Sequence, residues 1–289
     1  MEAHLTHADA GAPLAPPARP LRATGPRVLL GALGPALLAR LRAWGREATV
    51  RDAGDLAALT GVTVVGSVPH FGARPRQGFH ARPRPDAPAT GAYLALRGVL
   101  RAGPPRTGAR VVVLTSARSG DGKTTSAANL AMVMARAGDR VLLIDAETRR
   151  GDQHAVFGVP AEPGFFDLLY GQSEAAACIH TLAVGGGAHL DLLPSGGASQ
   201  ANAEELLMAG RLRSFLDGLR PRYDVILVDS PPLESFADAA RLGAVADDVL
   251  LVARVGRTPR RVLAGAVRQL RHASARLTGA VLNDVARRA

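Results

Sequence analysis

The apolar positions of this chain fall into two kinds of pattern. Short continuous runs occur at Val111–Thr115, Val141–Ile144, Leu190–Leu193, Val225–Val228, Val249–Val252 and Ala280–Leu282. Unbroken runs of this length suit strands buried on both faces, the usual condition of a parallel sheet covered by helices. Between them Thr124–Ala137, Ala203–Leu219, Ala237–Ala244 and Thr258–Leu277 read as helices, the second and the last with apolar residues three and four apart. Strand and helix alternate from Thr90 onward, which predicts an α/β fold with a doubly wound, mostly parallel sheet.

The preceding segment has a different texture. Residues 1–27 show no hydrophobic period and are rich in Pro and Ala, so a disordered basic arm is expected. Residues 28–70 predict a small hydrophobic unit: the apolar run Val28–Ala39, a short helix Asp55–Thr60 and the strand Val62–Val68, closed by Pro69. The first run contains Pro35 and falls short of the ~20 apolar residues a spanning helix needs. It also lacks the flanks of a secretory signal. A buried and an interfacial helix both remain open. Residues 71–89, rich in Arg, Pro and Gly, read as a linker, which leaves 90–289 as the compact domain.

Composition adds three constraints. With 289 residues, 47% of them hydrophobic, the chain can bury one substantial core. Its net charge of +10 is uneven: residues 1–110 hold 15 Arg against 6 acids, and residues 111–289 hold 20 Lys and Arg against 19 acids. A basic N-terminal segment is compatible with an anionic surface but reads first as a solvated arm, and no nucleic acid is expected. Cys178 is the single cysteine, which excludes an intrachain disulfide and suits a reducing cytoplasm. The eight His show no metal-ligand spacing.

The strand Val111–Thr115 leads into Ser116-Ala117-Arg118-Ser119-Gly120-Asp121-Gly122-Lys123-Thr124-Thr125, followed at once by a helix. Strand, Gly-containing loop and helix N-terminus are the context of a phosphate-binding P-loop (Walker A). Gly120 and Gly122 let backbone N–H groups turn onto phosphate oxygens, the helix directs its dipole at the same anion, Lys123 supplies a positive charge, and the Thr124 hydroxyl suits Mg²⁺. Ser119, Asp121 and Thr125 complete the set expected to contact the nucleotide. Ala117 occupies the usual first Gly position, yet Lys123 is the only lysine among 35 basic residues, which singles the position out.

Acids end two of the strands. Asp145 and Glu147 follow Val141–Ile144, and Asp229 follows Val225–Val228, so all three are expected at the carboxyl edge of the sheet beside the loop. Asp229 suits Mg²⁺, with Thr124 and Asp145 as further candidate ligands. Asp145 suits proton acceptance from an attacking hydroxyl or water, and Glu147 suits orienting it.

The runs Val141-Leu-Leu-Ile-Asp145-Ala-Glu-Thr-Arg149-Arg150 and Tyr223-Asp-Val-Ile-Leu-Val-Asp229-Ser-Pro-Pro232 resemble the second and third nucleotide motifs of bacterial protein tyrosine kinases that govern capsule and exopolysaccharide synthesis. The likeness extends from Leu59-Thr-Gly-Val through Leu193-Pro-Ser-Gly, Asn202-Ala-Glu-Glu-Leu-Leu and Gly256-Arg-Thr258 to Val281-Leu-Asn283. It implies a P-loop NTPase of the deviant Walker A group, with residues 28–70 as the remnant of a membrane-proximal segment. It also implies ATP and Mg²⁺ as cofactors, Lys123, Asp145 and Glu147 as catalytic residues, and Asn283 near the adenine. The partners it implies are a membrane polysaccharide co-polymerase or export protein and a tyrosine-bearing protein substrate. The location would be the cytoplasm, peripheral at most to the inner face of the membrane.

Three departures shape the expectation. The family's C-terminal tyrosine cluster has no counterpart, since the only tyrosines are Tyr93, Tyr170 and Tyr223. The family's ring-forming Glu-x-x-Arg-x-x-Arg pattern reads Gly91, Leu94 and Arg97, which counts against a ring and leaves another homo-oligomer open. The two spanning helices of anchored members are reduced to one short apolar run. A tyrosine kinase acting on another chain is therefore the leading expectation, with an ATP-driven switch docking to an export partner as the alternative. A partitioning ATPase is a third, opposed by Arg118 where that group carries a second lysine.

Overall fold

The computed structural model describes residues 48–70, 88–104, 107–147, 151–197, 209–234 and 238–286. Their strands are β1 (Val64–Pro69), β2 (Arg110–Ser116), β3 (Val141–Asp145), β4 (His180–Gly185), β5 (Ala188–Leu193), β6 (Val225–Asp229), β7 (Asp248–Arg254) and β8 (Leu277–Val285). The helices are α1 (Ala53–Thr60), α2 (Pro88–Arg101), α3 (Lys123–Arg136), α4 (Gln153–Phe157), α5 (Phe165–Tyr170), α6 (Ala175–Cys178), α7 (Ala209–Leu219), α8 (Asp238–Val245) and α9 (Arg260–His272). The strands form one sheet in the order β1-β8-β7-β2-β6-β3-β5-β4, parallel throughout except for the β4–β5 hairpin.

The continuous apolar runs explain why this sheet is covered twice. Alternate side chains of a strand point to opposite faces. Val111, Val113, Leu142, Ile144, Ile226 and Val228 enter one core with Leu263 and Leu270 of α9 and Leu212 and Leu216 of α7. Val112, Leu114, Leu143, Leu227 and Leu250 enter the other with Leu96 and Leu100 of α2 and Leu130 and Met134 of α3. Ala127, Ala128, Ala131 and Ala135 keep α3 slim, so it lies close against the middle of the sheet.

Strand order places the site. From β2 the chain winds outward through α3 to β3, then later recrosses from β6 on one side of β2 to β7 on the other. The winding reverses at the carboxyl end of β2, and such a switch point opens a crevice for a ligand.

Several expectations change. The separate unit over residues 28–70 is not separate in its described part: β1 hydrogen-bonds β8 as the edge of the main sheet, and Val50 and Leu56 lie in its core. An edge strand of a parallel sheet carries the same apolar signal as a strand of an independent unit, so the pattern alone does not assign it. Residues 88 and 89, read as linker, open α2, whose Ala89, Tyr93, Leu96 and Leu100 bury one stripe despite a Pro and two Gly. The long final helix is shorter, because Leu277 begins β8. The β4 hairpin strand, alternating and half exposed, was not expected. The arm 1–27, the run Val28–Ala39 and most of the linker lie outside the described residues, as does the segment Asn202–Leu207. Among the described residues no helix is long and apolar enough to cross a membrane.

On α2, Gly91 and Leu94 are exposed, whereas Arg97 is held internally by Asp139, with Nε 2.7 Å from Oδ2. The one arginine that matches the ring pattern therefore already has an intramolecular partner.

Candidate active site

The loop between β2 and α3 is shaped by its glycines and by what closes on it. Gly122 precedes α3 at φ 99, in the left-handed region. A Cβ there would also collide with the side-chain amide of Asn283. Only glycine satisfies both demands. Asn283 Nδ2 donates to the Asp121 carbonyl at 3.0 Å, and its Oδ1 accepts from Asp284 N at 2.9 Å. The residue expected at the adenine thus clamps the phosphate loop from the end of β8.

Lys123 and three acids form the centre. Asp145 and Asp229 end β3 and β6 and stand side by side in register, both fully buried. Lys123 Nζ lies 2.9 Å from Glu147 Oε2, 3.7 Å from Asp229 Oδ1 and 3.3 Å from the Thr124 hydroxyl. Burial alone would lower the lysine's pKa, but the charges of Asp229 and Glu147, the hydrogen bond to Glu147 and the charge of Asp145 more than offset it, so the ammonium is held above its ordinary value. Asp145 moves up to about 7, first through burial and then through the charge of Asp229. Hydrogen bonds from Gln153 N at 3.0 Å and Glu147 N at 3.2 Å and the charge of Lys123 oppose that rise.

Asp121 is anchored by its side chain. Its carboxylate turns into the protein, accepting from Arg118 N at 3.0 Å and from the Thr258 hydroxyl at 2.8 Å, and only 1% of the residue is exposed. Burial pushes its pKa up to about 6, against those two hydrogen bonds and with a further push from Glu234. What it presents to a ligand is backbone; its side chain braces the loop. Ser119 and Gly120 are exposed, and Thr124 and Thr125 are partly so.

Three further contributors were not among the expected site residues, and only Thr258 of them lies in a quoted motif, Gly256-Arg-Thr258. Gln153, completely buried, donates from Nε2 to the Thr124 carbonyl at 3.1 Å and to Asp229 Oδ2 at 2.9 Å. Thr258 braces Asp121 from the turn after β7. Glu234 accepts from Ser119 N at 3.0 Å and from Arg118 Nε at 3.1 Å. A carboxylate on a loop N–H occupies a donor suited to phosphate. Glu234→Gln is expected to tighten ADP binding about fivefold, equivalent to ~1 kcal/mol, because an acid no longer competes with the anion. Calorimetric titration checks it, and weaker binding would show that Glu234 supports the loop instead.

The donor set fits Mg²⁺. Asp229 Oδ1 is buried without a hydrogen-bond partner, and the Thr124 hydroxyl is close by through Lys123. Among the described residues no cluster of three His, Cys or acidic side chains forms an all-protein metal cage. Mg²⁺ typically takes one or two protein oxygens and fills its sphere with phosphate and water.

This loop, the two strand-end acids and the reversal of winding at β2 define a P-loop NTPase-like fold. A family profile described as an AAA domain matches residues 109–272, and the tyrosine-protein kinase YwqD of Bacillus subtilis is 36% identical over 172 residues, 60% of this chain and 71% of YwqD. The chain belongs to the bacterial tyrosine-protein kinase family. It is 37% identical over 269 residues to EpsB of Ralstonia solanacearum, which covers 88% of this chain but 35% of EpsB. The chain therefore spans about a third of the length of that relative. The solved kinase domain of the Escherichia coli tyrosine kinase ETK matches with a TM-score of 0.73 and 31% identity, over 82% of this chain and 96% of that domain.

Proposed function

We propose that this chain is an ATP- and Mg²⁺-dependent protein tyrosine kinase acting in capsular or exopolysaccharide synthesis or export. The observation that carries the reading is Asp145, a fully buried carboxylate beside the phosphate loop and its lysine, which burial and the charge of Asp229 push up to about 7. A proton acceptor is most effective when its pKa lies near the working pH. The backbone of Ser119–Thr125 and Lys123 bind the phosphates. Asp145 takes the proton of a tyrosine hydroxyl as that oxygen bonds to the γ-phosphorus and the bond to the ADP oxygen breaks. Glu147, 2.9 Å from Lys123 Nζ, keeps the ammonium in place. Thr124 and Asp229 would hold Mg²⁺, with Asp145 adjoining, and the ion would supply charge neutralisation at the β- and γ-phosphates.

On this reading the acceptor is none of the three tyrosines in this sequence. Tyr93 is buried, and burial pushes its pKa up to about 12. Tyr223 donates to Asp191 Oδ2 at 2.8 Å, and the Tyr170 hydroxyl is buried. None offers its oxygen to an incoming phosphate. A membrane polysaccharide co-polymerase or export protein is the proposed partner, at the cytoplasmic face of the membrane, and no nucleic acid is proposed.

The contact of Glu234 with Ser119 N favours one second reading, an ATP-driven switch in which phosphate displaces that acid and the loop after β6 moves. Phosphosite mapping after incubation with Mg-ATP and a tyrosine-bearing polymer separates the two. Phosphotyrosine in the polymer, absent with Lys123→Met and Asp145→Asn, is the expected result. Phosphate release without phosphotyrosine would replace the kinase reading by the switch.

A further inference from the structure

We propose that Gln153 is a positioning residue that fixes the Asp229 carboxylate by one oxygen, so that the other, Oδ1, is the one presented to the divalent cation accompanying the nucleotide. The inference rests on the nucleotide reading of the site above. It concerns a residue on a five-residue helix that follows the second nucleotide motif.

The orientation of the Gln153 amide follows from its partners. Thr124 O and Asp229 Oδ2 are both acceptors, so the NH₂ group must face them, and its two hydrogens are accounted for. Asp229 therefore has one oxygen held and one left over. Oδ1 is buried, has no hydrogen bond, and lies 3.7 Å from Lys123 Nζ. The Lys123 ammonium offsets its charge from that distance without hydrogen-bonding it, so a buried acceptor keeps its lone pairs unused. The Gln153 acyl oxygen, Oε1, is also buried and without a hydrogen-bond partner, although the residue is 0% exposed. An apolar side chain would fill the same space without an orphaned acceptor, so packing does not account for it. An acceptor at this point suits the proton of a cation-bound water.

Gln153 also links parts that must stay in register. Its side chain ties the first residues of α3 to the end of β6, and its own N–H holds Asp145 Oδ2 at the end of β3. Gly151, two residues earlier, permits the approach: a Cβ there would meet Ser195 and stand 2.9 Å from Asp145 Oδ2. Outer partners of this kind typically change metal affinity by about 10–100-fold when removed.

The test is calorimetric titration of the full chain with ADP, once in EDTA and once in Mg²⁺. The unsubstituted protein should bind more tightly with Mg²⁺. Gln153→Met, which keeps volume and backbone but loses the amide, should hold its EDTA affinity within about twofold while losing about tenfold of the Mg²⁺ enhancement. Gln153→Asn, which keeps an amide on a shorter arm, should fall between and serves if the Met variant does not fold. Equal weakening in both buffers would mean a merely structural residue, and an intact Mg²⁺ enhancement in both variants would mean no role; either overturns the proposal. No ADP binding by the unsubstituted protein would instead overturn the nucleotide reading, and this inference with it.

Discussion

Lys123→Met is expected to reduce ADP and ATP binding by at least about 100-fold and, less obviously, to destabilise the free protein. The ammonium is the cation that faces Glu147 and Asp229 at 2.9 and 3.7 Å, in a setting where only 11% of its side chain is exposed. Removing one partner of a buried ion pair typically costs about 3–5 kcal/mol, since the remaining charge stays desolvated. For a domain of this size ~3 kcal/mol corresponds to a fall in Tm of roughly 6–12 °C. A thermal scan checks it. An unchanged Tm would show that the lysine contributes binding but no net stability.

Asp145→Asn should separate activity from stability. Turnover is expected to drop by about 10²–10⁴-fold, with ADP affinity within a few-fold of the parent, because the proton acceptor is lost while the loop and Lys123 remain. The pH dependence has a fixed sign. Asp145 has a folded-state pKa near 7, above its unfolded value, so its contribution to stability is present at low pH and is lost as pH rises through about 7. Asp121, raised to about 6, acts in the same direction. The Tm of the parent should therefore decline from about pH 5 to about pH 8, and the Asn variant should decline less. The parent's kcat/KM should rise across the same interval as the acceptor ionises. Equal Tm slopes for the two proteins would remove Asp145 as the titrating group.

Much of this site is legible in the sequence because its chemistry sits where secondary structure changes. Lys123 follows a strand and a glycine loop, and Asp145 and Asp229 each end a run of apolar residues long enough to cross the sheet. Two acids at the ends of parallel strands share one edge of the sheet, and the strand order then makes β3 and β6 neighbours and sets the two acids side by side. Gln153 and Glu234 lie outside any such transition, and Thr258, at the start of an expected helix, carries no sign of its partner. They reach the loop from a one-turn helix, from the turn after β7 and from the loop after β6, and a sequence does not state how such segments fold back. Asp121 shows the opposite limit. Its place in the loop was legible, but the direction of its carboxylate depends on Thr258, 137 residues away. In the fold, α2 was hidden by glycines whose helical cost is offset by the burial of Tyr93, Leu96 and Leu100.

The isolation of Lys123 has a chemical corollary. Every other Lys or Arg position holds a guanidinium, so apart from a chain terminus the sequence has a single primary amine, and two carboxylates guard it. Reagents that acylate free amines will find the surface inert. Modification at that one position then requires the loop to part from its acids, so the rate of labelling becomes a clock for loop opening, read in mass units on one peptide.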